Sequence, residues 1–128
     1  MTTAVPSTII TLIGAGTIGT AWAVVFAAAG MSVRLYDADT ARLPAALDMA
    51  RARLSDLAAY GLIDGDVGDI MTRITPAAEL DTALDGADHV QENAPEDLDL
   101  KRGLLARIAE IAPATCTIAS STSFIEPS

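Results

Sequence analysis

Three glycines and one aspartate carry the clearest chemistry in this chain. Gly14-Ala15-Gly16-Thr17-Ile18-Gly19 spells GxGxxG, and Asp37 follows eighteen residues after the last glycine. Backbone N–H groups in such a turn, at the positive end of the next helix, bind phosphate without a cationic side chain. Gly14 suits the tight turn out of a strand. Gly16 lets the backbone approach a pyrophosphate, and Gly19 lets a helix pack closely on a sheet. Thr17 and Ile18 open that helix and belong to the same phosphate-facing turn. A carboxylate at Asp37 is placed to accept hydrogen bonds from both hydroxyls of an adenosine ribose. It would repel a 2′-phosphate, and the next residue is Ala38 rather than an arginine. The expected cofactor is NAD in preference to NADP. A glycine turn that binds nothing is the plainer alternative, and it leaves the spacing of Asp37 unexplained.

These residues need strands and helices to hold them. An apolar run containing Ile9, Ile10, Leu12 and Ile13 precedes the turn and predicts a strand over about 8–13. A helix is expected over about 18–29, stopping at Gly30, and a second strand over about 32–36. Leu43, Leu47, Ala50, Leu54 and Leu57 recur at helical spacing, which predicts a long helix over about 40–60, closed by Gly61. Pro44 falls in its first turn, where a missing N–H is tolerated. Further on, a short acidic helix is expected over about 64–71, and a short strand over about 73–75, closed by Pro76. Then follow a helix over about 78–84, a strand over about 88–91, a helix over about 98–111 and a strand over about 115–119. Alternating strands and helices predict an α/β fold. It is a Rossmann-type, doubly wound parallel sheet with helices on both faces and ligands at the carboxyl ends of the strands.

The chain has 128 residues, 51% of them hydrophobic, and a formal net charge of −9. One domain with a real core fits that length. The negative charge argues against nucleic acid or an anionic membrane as partner. It says little against an anionic cofactor held by backbone dipoles. No apolar run is long and pure enough to span a bilayer. The opening MTTAVPST has no signal-like core, and Cys116 is the one cysteine, so a cytoplasmic protein is expected. The acids between Asp64 and Asp99 show no metal-ligand spacing and read as a solvated face.

Later in the chain, His89-Val90-Gln91-Glu92-Asn93-Ala94-Pro95-Glu96-Asp97-Leu98-Asp99-Leu100-Lys101 resembles the V-x-E-x-x-P-E-x-x-x-x-K segment of the 3-hydroxyacyl-CoA dehydrogenase superfamily. Ala119-Ser120-Ser121-Thr122-Ser123 is similar to the strand-end motif of the same proteins, usually written A-S-N-T-S. With the glycine turn and Asp37, the resemblance covers essentially the whole chain in order. Trp22-Ala23, Leu35-Tyr36-Asp37, the QENAPEDLDLK stretch, the SSTS segment and Pro127-Ser128 point further. They resemble the branch that contains lambda-crystallin and L-gulonate 3-dehydrogenase, and L-carnitine dehydrogenases look similar here.

The resemblance implies oxidation of a secondary alcohol, with hydride passing from the carbon that bears the hydroxyl to NAD. Its cofactor-lining acid and lysine fall on Glu96 and Lys101, and its serine near the reacting hydroxyl falls on Ser123. Each has an ordinary reading beside that one. Glu96 fits the first turn of a helix, Lys101 fits a solvated helix face, and Ser123 fits a polar turn. Ser121 stands where the fatty-acid enzymes carry asparagine. At the two positions those enzymes use to hold CoA, this chain carries Arg53 and Tyr60.

The family's basic histidine, its partner glutamate and its helical domain come after the Ser-Thr-Ser strand, beyond Ser128. That domain completes the substrate site and a homodimer. The only histidine here, His89, does not match the family's base and reads as a structural or exposed strand-end residue. Cys116 reads as a small core residue within the last strand. The chain is therefore expected to be a cofactor domain, 1–128, without appreciable activity alone. Its full-length parent is expected to act on a small polar hydroxy acid of the L-gulonate or carnitine kind rather than on an acyl-CoA. An acyl-CoA enzyme of fatty-acid metabolism and a non-enzymatic NAD-binding or structural protein are the alternatives.

Overall fold

Alternating apolar residues decide how this sheet is covered. The structure is a computed structural model that describes residues 8–93 and 98–120. Five strands run parallel in the order β3-β2-β1-β4-β5: β1 Ile9–Ile13, β2 Ser32–Tyr36, β3 Ile74–Ala77, β4 His89–Glu92 and β5 Thr117–Ser120. The helices between them are α1 Thr17–Ala28, α2 Arg42–Ala59, α3 Val67–Met71, α4 Leu80–Leu84 and α5 Leu98–Ile111. Side chains two apart on a strand share a face. Ile10, Leu12, Val33 and Leu35 accordingly join α1, α2 and α3 in one buried cluster. Ile13 and Val90 join Leu80, Leu84 and Ile108 of α4 and α5 in a second. Two cores on opposite faces of one parallel sheet make the expected doubly wound architecture.

Polar side chains tie helix ends to this frame. Arg34 of β2 donates to the carbonyls of Thr82, Ala83 and Asp85, at the C-terminal end of α4. The buried Thr11 hydroxyl also donates to the Ala83 carbonyl. Arg73 donates to the Ala27 carbonyl at the C-terminal end of α1, at 2.7 Å. A cation at the negative end of a helix is favourably placed. Gly30 and Gly61 close α1 and α2, where Met31 N–H bonds Phe26 and Leu62 N–H bonds Leu57 at 3.0 and 2.9 Å. That is the six-to-one bond of a Schellman ending.

Most expected boundaries move by one or two residues. Pro76 does not close β3 but lies inside it, opposite Leu35. The strand tolerates it because β3 is at the edge of the sheet. Cys116 lies just before β5 rather than within it, half-buried against the second cluster. Burial, and to a smaller extent the charge of Asp88, raises its thiol pKa. That holds it in the less reactive thiol form.

Leu54 is fully buried in the first cluster, whereas Leu62 is 68% exposed. Leu54→Ala is expected to cost about 2–5 kcal/mol in urea unfolding, and Leu62→Ala less than about 0.5 kcal/mol. Equal losses would show that the core is misassigned.

Candidate functional site: a dinucleotide cleft at the end of β1

Strand β1 stops at Ile13 because the backbone turns sharply at Gly14, whose φ is 105°. A side chain is strained in that region, so glycine is required. Two neighbours hold the turn. Gly14 N–H bonds the Tyr36 carbonyl, and Asn93 N–H bonds the Ile13 carbonyl, each at 2.7 Å. Helix α1 then begins almost on top of the strand. A Cβ on Gly19 would lie 1.9 Å from the Gly14 carbonyl oxygen. Any side chain there must push the helix away. By contrast, a Cβ on Gly16 would meet nothing within 4 Å. The open space in front of Gly16 leaves room for a pyrophosphate to approach the backbone.

The start of α1 suits an anion. Its cap residue is Gly16, with no side-chain hydrogen bond to the cap, and no acidic residue lies in its first turn. The first N–H groups of the helix are thus left for a ligand to satisfy. Asp37 sits across the cleft at the end of β2. Its Oδ2 accepts from Ala15 N–H and its Oδ1 from Asp39 N–H, both at 2.8 Å. Each oxygen keeps a second lone pair for a ribose hydroxyl. Two backbone bonds fix the carboxylate before any ligand arrives, and they tie the glycine turn to β2.

A cavity of about 250 Å³ opens between these groups. Gly14, Gly16, Thr17, Ile18 and Asp37, the residues singled out in the sequence, line it. Gly19 acts from beneath, through the close approach of α1. Two lining residues were not anticipated, Arg42 and Asn93. Asn93 directly follows β4, the strand hydrogen-bonded to β1, and that adjacency was the available signal. Arg42 is the first residue of α2, brought back to the cleft by the short turn after Asp37.

Lys101 is not among the cavity's lining residues. It is 2% exposed, so the solvated-lysine reading is wrong. Its Nζ lies 3.2 Å from Oε1 of Glu92, which is fully buried. Ser120 Oγ donates to the same oxygen at 2.7 Å. Glu92 ends β4, Ser120 ends β5, and the two are register partners. The solvated reading fails because the carboxylate that pairs with Lys101 is on another element. Glu96, Ser121 and Ser123 lie outside the described residues. His89 is at the opposite end of β4, with Nε2 3.2 Å from Oε1 of Gln91.

Arg53 and Tyr60, the positions matching the CoA contacts of the fatty-acid enzymes, come together elsewhere. They line a groove of about 330 Å³ between α1 and α2, with Val24, Val25 and Leu57. It is larger than the cleft at Gly14, and Asp56 lines it beside Arg53, but no helix N-terminus is among its lining residues.

Comparison with known proteins agrees with the cleft. Residues 9–128 match the family model described as 3-hydroxyacyl-CoA dehydrogenase, NAD binding domain. The chain belongs to this family. It is 36% identical over 121 residues to a lambda-crystallin homolog of Bos taurus, covering 93% of this chain and 38% of that protein. It is 40% identical over 111 residues to an L-carnitine dehydrogenase of Streptomyces coelicolor, covering 87% of this chain and 34% of that one. Among solved structures, 3-hydroxybutyryl-CoA dehydrogenase from Escherichia coli superposes with a TM-score of 0.84 at 31% identity. That match covers 93% of this chain and 25% of the enzyme. The chain thus spans well under half the length of these relatives. As a 3-hydroxyacyl-CoA dehydrogenase NAD-binding domain, it takes NAD as cofactor, and the open space at Gly16, the uncapped start of α1 and the pinned Asp37 fit that molecule.

Gly19→Ala is expected to weaken NADH binding at least tenfold, because α1 must shift off the glycine turn that lines the cleft. It should also cost about 1–3 kcal/mol of stability, as other forced overpacking does. Fluorescence titration beside thermal unfolding checks both. Unchanged binding would refute the close-approach argument.

Proposed function

We propose that this domain serves an oxidoreductase that oxidises a secondary alcohol at the 3-position of a small polar hydroxy acid, of the L-gulonate or L-carnitine kind, by removing hydride from the carbon that bears the hydroxyl. The carrying observation is the carboxylate of Asp37, fixed by Ala15 and Asp39 N–H beside a glycine turn open at Gly16. When bound, the nicotinamide ring supplies the hydride acceptor. The chain's own residues bind and orient. The first N–H groups of α1 hold the pyrophosphate, and Asp37 holds the adenosine ribose. Glu96 borders the cofactor, Lys101 acts on it from its buried place beside Glu92, and Ser123 orients the substrate hydroxyl. The base comes from a histidine in a further helical domain of a homodimeric parent, in the cytoplasm. His89 is not assigned that role, since it stands at the far end of β4.

Support for the substrate class comes from Ser121 and from Arg53 and Tyr60 at the CoA-contact positions. The relatives named for lambda-crystallin and L-carnitine dehydrogenase point the same way. A second reading, an acyl-CoA substrate, is favoured by the groove between α1 and α2, where Arg53 offers a phosphate partner.

Two measurements test the proposal. Asp37→Ala should weaken NADH by about 1.5–3 kcal/mol, the worth of charge-assisted hydrogen bonds, and should narrow the preference over NADPH. Calorimetry with both cofactors reads this, and tighter NADPH binding by the unaltered protein would overturn the role of Asp37. For the complete enzyme, kcat/KM is expected to favour L-gulonate or L-carnitine over 3-hydroxybutyryl-CoA. A preference for the CoA ester above about tenfold, or about 1.4 kcal/mol in transition-state binding, would establish the second reading instead.

A further inference from the structure

We infer that the buried Glu92–Lys101 pair sets how this domain divides its affinity between oxidised and reduced NAD. The inference rests on the cofactor reading above and goes beyond it. Asp37 ends β2, so the adenosine ribose lies over the β2 side of the sheet. The pyrophosphate lies at the start of α1, above the end of β1. A dinucleotide in an open parallel sheet crosses the crevice where the strand order reverses, here between β1 and β4. Its other nucleoside therefore falls over the carboxyl ends of β4 and β5. Those ends are Glu92 and Ser120, register partners in the sheet.

An apolar pair would be the ordinary filling at this position. Val90, two residues earlier on the same face as Glu92, is fully buried among hydrophobic side chains. Instead the fold buries a carboxylate and an ammonium 3.2 Å apart, with the Ser120 hydroxyl on the carboxylate. Apolar replacements of such pairs are often neutral or stabilising, so stability alone is a weak reason for keeping one. Charge beneath a nicotinamide ring has a definite effect. The oxidised ring carries a positive charge that the reduced ring lacks. Glu92 favours the oxidised form, Lys101 opposes it, and together they hold the balance. Both act from buried positions, where water and salt screen little.

The test uses the protein with NAD+, NADH and ADP-ribose, which has no nicotinamide. Calorimetric dissociation constants are compared for the unaltered protein, Glu92→Gln, Lys101→Met and the double variant. The readout is the ratio of the NAD+ to the NADH constant, which a purely structural role would leave unchanged. Glu92→Gln should raise it by about fifteenfold and Lys101→Met should lower it by about as much, as expected for one unit charge across roughly 10 Å at an effective permittivity of about 20. The double variant should return the ratio to its original value, and ADP-ribose affinity should move less than either. A ratio that stays fixed, or that moves the same way in both single variants, overturns the inference while leaving the cofactor reading intact. Failure of the unaltered protein to bind any of the three ligands overturns both. If Glu92→Gln does not fold by circular dichroism, Lys101→Met decides alone, because Glu92 then keeps its Ser120 hydrogen bond. A lowered ratio supports the inference, and an unchanged one overturns it.

Discussion

Helix α1 starts so close to the end of β1 that no side chain fits between them, and the rest of the cleft follows from that contact. With Gly19 pressed against the Gly14 carbonyl, the first N–H groups of the helix point into the space before Gly16. The same approach lets α1 cover Ile10 and Leu12 of β1, so one contact sets both a core and a binding surface. The turn is then held from both sides of the sheet. Tyr36 and Asp37 hold it from β2, and Asn93 holds it from the end of β4. A loop made largely of glycine gives up much conformational entropy on ordering. Here these hydrogen bonds offset that cost before a ligand is present.

Asp37 does two jobs with one carboxylate. It staples the glycine turn to β2 and remains able to read a ribose. Binding therefore asks little rearrangement of the loop, which is how preorganised sites gain affinity. The burial of Glu92 and Lys101 follows a different logic. Taking either charge from water alone is unfavourable, and removing one partner of a buried pair typically costs about 3–5 kcal/mol. The pair thus locks α5 to the end of β4 at a fixed register.

Much of this was legible in the sequence because it is local. The GxGxxG turn, its apolar flanks and Asp37 all lie within one strand–helix–strand unit, and each places its neighbour. Gly30 and Gly61 end their helices as read, since a glycine stop acts through adjacent residues. What the sequence hid was set by distant partners. Pro76 reads as a strand terminator until its place at the edge of the sheet is known. Lys101 reads as solvated until Glu92, nine residues earlier on another element, is seen to pair with it. Arg42 and Asn93 reach the cleft only because the sheet order brings β2 and β4 to either side of β1.

Pro76 also governs how this sheet meets other chains. The Arg73 carbonyl accepts from Val33, so it faces β2. Backbone groups alternate sides along a strand, so residues 75 and 77 also face inward and Pro76 faces out. At the one outward position between Thr75 and Ala77, the edge has no N–H to offer an incoming strand. The opposite edge has no such block among the described residues. Thr117 and Ile118 of β5 are exposed there, with Ile118 at 38%. Among the described residues no strand lies beyond β5, and natural proteins blunt a sheet edge that would otherwise be a template for pairing. The β3 edge is guarded by a ring that cannot donate, and whatever covers β5 decides whether the domain stays discrete.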